Sequence, residues 1–176
     1  MLLKTERLNI RHITEDDWKS VKEIWKDFNL SEYAQYDKPH NTDETDVRER
    51  IAKWAKANSG IEHMFFAVCL QDIVIGYIAF NKRDNGYEIG YCFHSKYHGK
   101  GYAKESHLAL FDYLHELGIT RFTAGTAINN IPSVSLLKSL GFKQAVTEKV
   151  SFYKDAEGKN IVFDGGIFEL ATEYEN

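Results

Sequence analysis

Apolar residues recur along the chain with two different periods, and the switches between them outline the elements. Residues 6–12 alternate, Leu8 and Ile10 against Asn9 and Arg11, which predicts a first strand. Thr14-Glu15-Asp16-Asp17 has the spacing of a capping box, and Trp18, Val21, Ile24, Trp25 and Phe28 follow at helical intervals. A second helix is predicted from near Thr42, with Asp43 and Glu44 where the helix dipole favours acids, through Val47, Ile51 and Trp54 to a stop near Gly60. His63–Leu70 and Ile73–Phe80 flank the short turn Gln71-Asp72 and predict a hairpin. A loop, Asn81–Gly86, leads to a third run, Tyr87–Phe93. Residues 101–117 read as a helix with Leu110, Leu114 and Leu117 on one side and Gly118 as its stop. Arg121–Ala127 is the next strand, and Pro132–Leu140 a short helix with proline in its first turn and Gly141 at its C-terminal cap. Residues 142–153 and 161–171 form a closing antiparallel pair. A strand–helix–strand unit inside a meander implies an α/β fold with a mixed sheet and helices on both faces.

Length and composition narrow the class. A chain of 176 residues fits one domain, residues 1–176, and its two prolines mark no internal boundary. The net charge of −4 gives no global field toward nucleic acid or anionic membrane, and neither is expected as a partner. Cys69 and Cys92 sit in apolar runs and read as buried free thiols of a reducing compartment. Lys4, Glu6 and Arg7 interrupt the start too early for a signal peptide, and no apolar run reaches the length of a membrane span, so the protein is expected in the cytoplasm. The seven histidines lack ligand-type spacing, and no metal is expected.

Against the acidic background one segment reverses sign. His94-Ser-Lys-Tyr-His-Gly-Lys-Gly-Tyr-Ala-Lys104 joins a strand to a helix start. Lys96, Lys100 and Lys104 bring three positive charges with no acid between residues 89 and 104. Gly99 and Gly101 let the backbone curl and present successive N–H groups to one point, beside the positive end of the following helix. These features suit an anion, and a pyrophosphate best of all; a plain glycine turn with solvated lysines has the same composition. The order Lys100-Gly101-Tyr102 breaks the pattern of a nucleotide-cleaving P-loop, and Lys104 breaks that of a dinucleotide fingerprint.

The run His98-Gly-Lys-Gly101-Tyr-Ala103 resembles the pyrophosphate loop of the GNAT acetyltransferases, Gln/Arg-x-x-Gly-x-Gly/Ala. Asn130-Ile-Pro-Ser133, followed by Gly141-Phe142, resembles the N-x-x-S…G-F helix of the RimJ/RimL-like subfamily. Thr5-Glu-Arg-Leu8, Arg11, Glu15-Asp16-Asp17 and Glu88-Ile-Gly-Tyr91 are similar to the same subfamily, so the likeness covers essentially the whole chain. It implies a mostly antiparallel sheet of six to seven strands, splayed at the middle between residues 87–93 and 121–127. Acetyl-CoA is the implied co-substrate. Its pantetheine would pair with the backbone of Cys92, Phe93 and His94. Its pyrophosphate would lie on His98, Gly99, Lys100, Gly101, Tyr102, Ala103 and Lys104. Asn130 and Ser133 would face its thiol end or pantetheine arm, although both residue types also cap helices. The implied activity is transfer of an acetyl group to a protein N-terminal amine or a small amine, and homodimers are common in the subfamily.

Amine attack on a thioester calls for a base, an oxyanion donor and a proton for the leaving thiolate. Glu88 is the candidate base, four residues before Cys92 and on the same strand face; pairing to a neighbouring strand is its structural alternative. Glu148 is a second candidate. The backbone N–H near Cys92 is the expected oxyanion donor. Three departures from the family pattern matter: His98 stands in place of Gln or Arg, Leu137 in place of a tyrosine acid, and Gly125 where some relatives carry a glutamate. Ser133 then becomes the implied proton donor, with Tyr153 and Tyr91 as further candidates. The acceptor groove is expected between the N-terminal helices and the last hairpin. Trp25, Phe28, Tyr33 and Tyr36 would give it aromatic surface, and Glu32, Asp37, Asp43 and Glu44 negative charge. An acyl-CoA sensor without turnover and a nucleotide-binding protein are the alternatives.

Overall fold

A computed structural model describes residues 2–171. Eight strands form one sheet in the order β1-β2-β3-β4-β5-β6-β8-β7. They are β1 (Leu2–Lys4), β2 (Leu8–His12), β3 (His63–Leu70), β4 (Ile73–Arg83), β5 (Gly86–Phe93), β6 (Arg121–Ala127), β7 (Lys143–Lys154) and β8 (Asn160–Ala171). The helices are α1 (Trp18–Asn29), α2 (Glu44–Ala57), α3 (Tyr102–Glu116) and α4 (Ile131–Ser139). Among the described residues no helix is long and apolar enough to cross a membrane.

The central strands are apolar on both faces because helices cover both. On one side α1 and α2 bring Val21, Ile24, Trp25, Val47 and Ile51 onto Phe65, Ala67, Cys69, Tyr77 and Cys92. On the other, Leu110, Phe111 and Leu114 of α3 and Leu137 of α4 pack on Phe66, Ile78, Phe80, Ile89 and Phe122. Phe66, Phe80 and Phe122 are almost fully buried, each contributing about 1.5–3 kcal/mol of transfer free energy.

All seven expected strands recur, His63–Leu70 and Arg121–Ala127 with the expected bounds and the others with shifted ends, and β1 is additional, bringing the strands to eight rather than six or seven. The residue 81–86 loop shrinks to a tight turn, because β4 continues through Arg83 and pairs it with Gly86. Leu117 falls beyond α3 and is 51% exposed, so it does not share the buried side of Leu110 and Leu114. Asp43 caps α2 rather than lying in its first turn, accepting from Thr45 N–H (2.9 Å) and Asp46 N–H (3.2 Å). The capping-box region adds an unforeseen ion pair: Asp17, only 5% exposed, accepts from Arg11 Nη1 and Nη2 (2.7 Å each) and from Thr14 N–H (2.8 Å).

The decisive feature lies between β5 and β6, the parallel pair joined through α3. They pair only at Tyr87–Phe122 and Glu88–Thr123. Beyond that foot β6 follows β8, with which it pairs along its full length from Arg121 to Ala127. The sheet is therefore open in its middle, on the side where α3 begins.

Candidate active site

The 94–104 segment starts at the open end of β5. Ser95–Tyr97 forms a short 3-10 turn, and α3 begins at Tyr102 with Gly101 as its N-terminal cap. Gly99 (φ +72°) and Gly101 (φ +81°) are left-handed, a region that disfavours any side chain with a Cβ. The first α-helical bond runs from Glu105 N–H to Gly101 O (3.0 Å). The N–H groups of Tyr102, Ala103 and Lys104 therefore lie upstream of any intrahelical acceptor and point out of the helix mouth. Lys96, Lys100 and Lys104 lie along the same turn, all exposed, with Lys100 Nζ donating to Lys96 O (3.1 Å). The cradle fits a diphosphate by its donors, its dipole and its charge.

Two tethers shape this loop, and neither was expected. Asp27 of α1 accepts from Ser95 N–H and from Ser95 Oγ (2.7 Å each). Burial tends to raise the Asp27 carboxyl, but the Ser95 bonds and nearby His94 outweigh it and hold it below the usual range. At the other end Arg7 Nη1 donates to Lys100 O (2.9 Å). His98 stays close to the strand: its Nε2 donates to Phe93 O (2.7 Å).

Strand parity decides which backbone groups face the opening. His94 N–H donates to Ile75 O (3.0 Å), so in this antiparallel ladder Cys92 and its partner Tyr77 also exchange bonds. The N–H of Cys92 thus points at β4. The groups on the open side belong to Tyr91 and Phe93, so the backbone N–H expected to face the opening at Cys92 does not, and those one residue to either side do. The Cys92 side chain is buried against α1 and α2, and burial pushes its thiol up to about 12.

Across the opening, α4 places its first turn opposite Tyr91. Asn130 is the N-terminal cap, its Oδ1 accepting from Ser133 N–H (3.3 Å). That leaves the Ser133 hydroxyl for Tyr91, whose OH lies 2.7 Å away. Burial keeps the Tyr91 phenol protonated, pushed up to about 12 despite the Ser133 bond. Leu137 is fully buried in the core beneath.

Residues 7–143 match the family described as Acetyltransferase (GNAT) domain, which is most of the chain. The chain belongs to the GNAT acetyltransferase family. It is 33% identical over 150 residues to the uncharacterized N-acetyltransferase YnaD of Bacillus subtilis (strain 168), covering 82% of this chain and 84% of that protein. A GNAT-family acetyltransferase structure from Bacillus anthracis superposes with a TM-score of 0.75 at 30% identity, covering 97% of this chain and 98% of the other. The fold is also that of RimL, the ribosomal L7/L12 α-N-protein acetyltransferase, in complex with coenzyme A: TM-score 0.81, 16% identity, 97% and 98% coverage.

Within this GNAT domain the candidate bases sit apart from the opening. Glu88 lies at the paired foot of β5, and Arg83 donates to its Oε2 from Nε (2.8 Å) and Nη2 (2.5 Å). At about 3.3 Å per strand residue it is some 13 Å from Cys92. Glu148 is exposed on β7, the last strand of the sheet. On the α1–α2 face, Tyr153 Oη donates to Ala34 O (3.0 Å), and Tyr36 meets Phe163 edge-on at 5.2 Å. The turn Glu32–Tyr36 therefore bridges to the last hairpin. Tyr33, Tyr36, Glu32 and Asp37 lie on that bridge. Trp25 does not line it: it is 1% exposed, donates to Tyr77 Oη (2.9 Å) and stacks on His40. Phe28 packs partly buried against the same core. Asp43 and Glu44 are also taken up elsewhere, Asp43 as a cap and Glu44 by Arg48 (3.0 Å). Among the described residues, no group of three or more His, Cys, Asp or Glu side chains is placed to hold a metal.

Proposed function

We propose that this protein transfers the acetyl group of acetyl-CoA to a primary amine, of a protein N-terminus or a small molecule, by direct attack in a ternary complex. The observation that carries the proposal is the junction of two features: the glycine-bent mouth of α3 and the unpaired middle of the sheet. Residues 98–104 bind the pyrophosphate. The open-side backbone of Tyr91 and Phe93 takes the pantetheine amides, with His94 beyond. Acetyl-CoA supplies an activated acyl carbon and a thiolate leaving group.

The chain's own groups then act in order. An open-side N–H of β5 donates to the carbonyl oxygen as charge builds there, an effect of roughly 3 kcal/mol when preorganised. Ser133 gives its hydroxyl proton to the departing sulfur and recovers one from Tyr91, whose raised pKa keeps it a donor and whose phenolate takes a proton back from solvent. An amine that arrives protonated gives one proton to water before it attacks and a second once the C–N bond has formed, since Glu88 could accept either only through intervening solvent; one of the two makes good the proton delivered to sulfur, and one is released per turnover. Glu32 and Asp37 on the acceptor bridge suit a cationic amine that arrives protonated.

The test is thiol release from acetyl-CoA against peptides with different first residues, polyamines and aminoglycosides. Release with at least one class, together with CoA affinity that falls about ten-fold in Gly101→Ala from the cost of a left-handed Cβ, is the expected result. Tight acetyl-CoA binding with no thiol released across the panel would instead identify a sensor.

A further inference from the structure

We propose that Arg7 is a positioning residue for the phosphate loop, setting the direction of the Lys100–Gly101 peptide and cancelling the charge of Glu105. The inference rests on the reading of residues 98–104 as a diphosphate cradle. Arg7 lies in the turn between β1 and β2, which is itself fixed: Thr5 N–H donates to Leu8 O (2.9 Å) and Leu8 N–H to Thr5 Oγ1 (3.0 Å). From this turn the guanidinium reaches across to the start of α3. Nη1 donates to Lys100 O (2.9 Å), and the group lies 4.6 Å from the centre of the Tyr102 ring. Nη2 is close behind Gly101, 3.3 Å from where a Cβ would stand.

A trans peptide holds its C=O and N–H antiparallel in one plane. Pinning the Lys100 carbonyl against Arg7 therefore turns the Gly101 N–H to the opposite side, away from the guanidinium and out of the loop. With both flanking glycines free of side-chain restraint, nothing in the loop itself would fix that choice. The second task is electrostatic. Glu105 is an acid in the first turn of α3, beside the place where a diphosphate would sit. Its carboxylate accepts from Thr5 Oγ1 (2.5 Å), Arg7 N–H (3.0 Å) and Arg7 Nε (2.7 Å), with Arg7 Nη2 at 2.6 Å. Arg7 thereby removes a repulsion from an anion site while Glu105 anchors the arginine. The Arg7 side chain is 41% exposed, so the pair adds little to global stability; its consequence is local to the loop.

The experiment compares acetyl-CoA with S-acetylpantetheine, which lacks the diphosphate, in wild type, Arg7→Met, Arg7→Lys, Glu105→Gln and the Arg7→Met/Glu105→Gln double variant. Loss of one charge-assisted bond to the loop predicts that Arg7→Met raises KM for acetyl-CoA about ten-fold at little changed kcat. KM for S-acetylpantetheine stays within about two-fold, the double variant recovers part of the loss, and Arg7→Lys is intermediate. An unchanged acetyl-CoA KM in Arg7→Met, or an equal rise for both thioesters, would overturn the proposal. A wild type that uses both thioesters equally well would sink the reading of the loop itself; a wild type that prefers acetyl-CoA while Arg7→Met does so equally sinks only the role of Arg7.

Discussion

Removing the Ser133 hydroxyl should cost the enzyme turnover and leave its grip on acetyl-CoA intact. In Ser133→Ala the backbone N–H that Asn130 caps is kept, so α4 stays anchored. What disappears is the hydroxyl whose oxygen lies 2.7 Å from Tyr91 Oη. A thiol of pKa near 8.5 leaves tolerably as a thiolate, so a general acid here belongs at the low end of the usual range, on the order of 100-fold in kcat or about 2.7 kcal/mol. Tyr91→Phe keeps the serine but removes the donor behind it, a net hydrogen bond of about 1 kcal/mol, which corresponds to roughly five-fold. Because the two groups act in series, the double variant should match Ser133→Ala alone rather than multiply the losses. With Tyr91 pushed up to about 12, the pair stays protonated through pH 10 and should add no alkaline limb to the kcat profile. The assay is colorimetric thiol release at saturating amine, with KM for acetyl-CoA measured in each variant. A Ser133→Ala enzyme within about three-fold of wild-type kcat would refute the relay, and so would a Tyr91→Phe enzyme slower than Ser133→Ala.

Two further outcomes test the assignment of acids. Glu88→Gln should leave kcat within about two-fold, because the carboxylate is committed to Arg83 and distant from the opening; a loss of roughly ten-fold or more would make it the base. Asp17→Asn should destabilise the fold by roughly 2–3 kcal/mol at neutral pH, a buried-pair value discounted because Arg11 is a third exposed. Burial raises the Asp17 carboxyl, but its bonds from Arg11 and Thr14 outweigh that and hold it below its ordinary value. Its contribution is therefore complete above the unfolded-state carboxyl pKa near 4 and fades as pH falls through the lower folded one. Urea titrations of both proteins should converge in that acid range, and a gap that widens there would contradict the ion pair.

Much of this arrangement was legible because the chain's periods and its glycines are local signals. A left-handed φ at Gly99 and Gly101 excludes most residues, so the loop is written in those two positions. The relation of β5 to its cover is likewise local: Glu88 and Cys92 share a face because the side-chain period is two. What alternation does not carry is the phase of the backbone. Whether the N–H of Cys92 or of Tyr91 looks into the opening depends on register with β4, fixed here by the bond from His94 N–H to Ile75 O. The tethers Arg7 and Asp27 were hidden for a similar reason. They lie 93 and 68 residues from the partners they hold, and a charge alone does not say which distant carbonyl or amide it will meet. β1 has only three residues, too few for alternation to register. β4 outran its apolar stretch because Asn81, Lys82 and Arg83 still pair with Glu88, Tyr87 and Gly86, with the Lys82 and Arg83 side chains exposed while Tyr87 stays in the core.

The opening itself is a cost that the fold accepts in one place. Backbone donors and acceptors in the middle of a sheet are normally paired, and leaving them bare beside a hydrophobic core is unfavourable by about 1–3 kcal/mol each. Here β6 gives up β5 in favour of β8, and the released groups of Tyr91 and Phe93 are left flanked by the α3 mouth on one side and Ser133 on the other. His98 Nε2 meets one of them, the Phe93 carbonyl. On the proposed reading, such a seam suits an extended ligand that carries its own amides and ends in a diphosphate, because that ligand would supply a strand's worth of partners to β5 and an anion to the helix mouth together. The same geometry explains why the tethers matter: a seam built to receive a partner has little internal pairing to hold its rim, and Arg7 and Asp27 supply that constraint from two elements, the β1–β2 turn and α1, that do not take part in the opening.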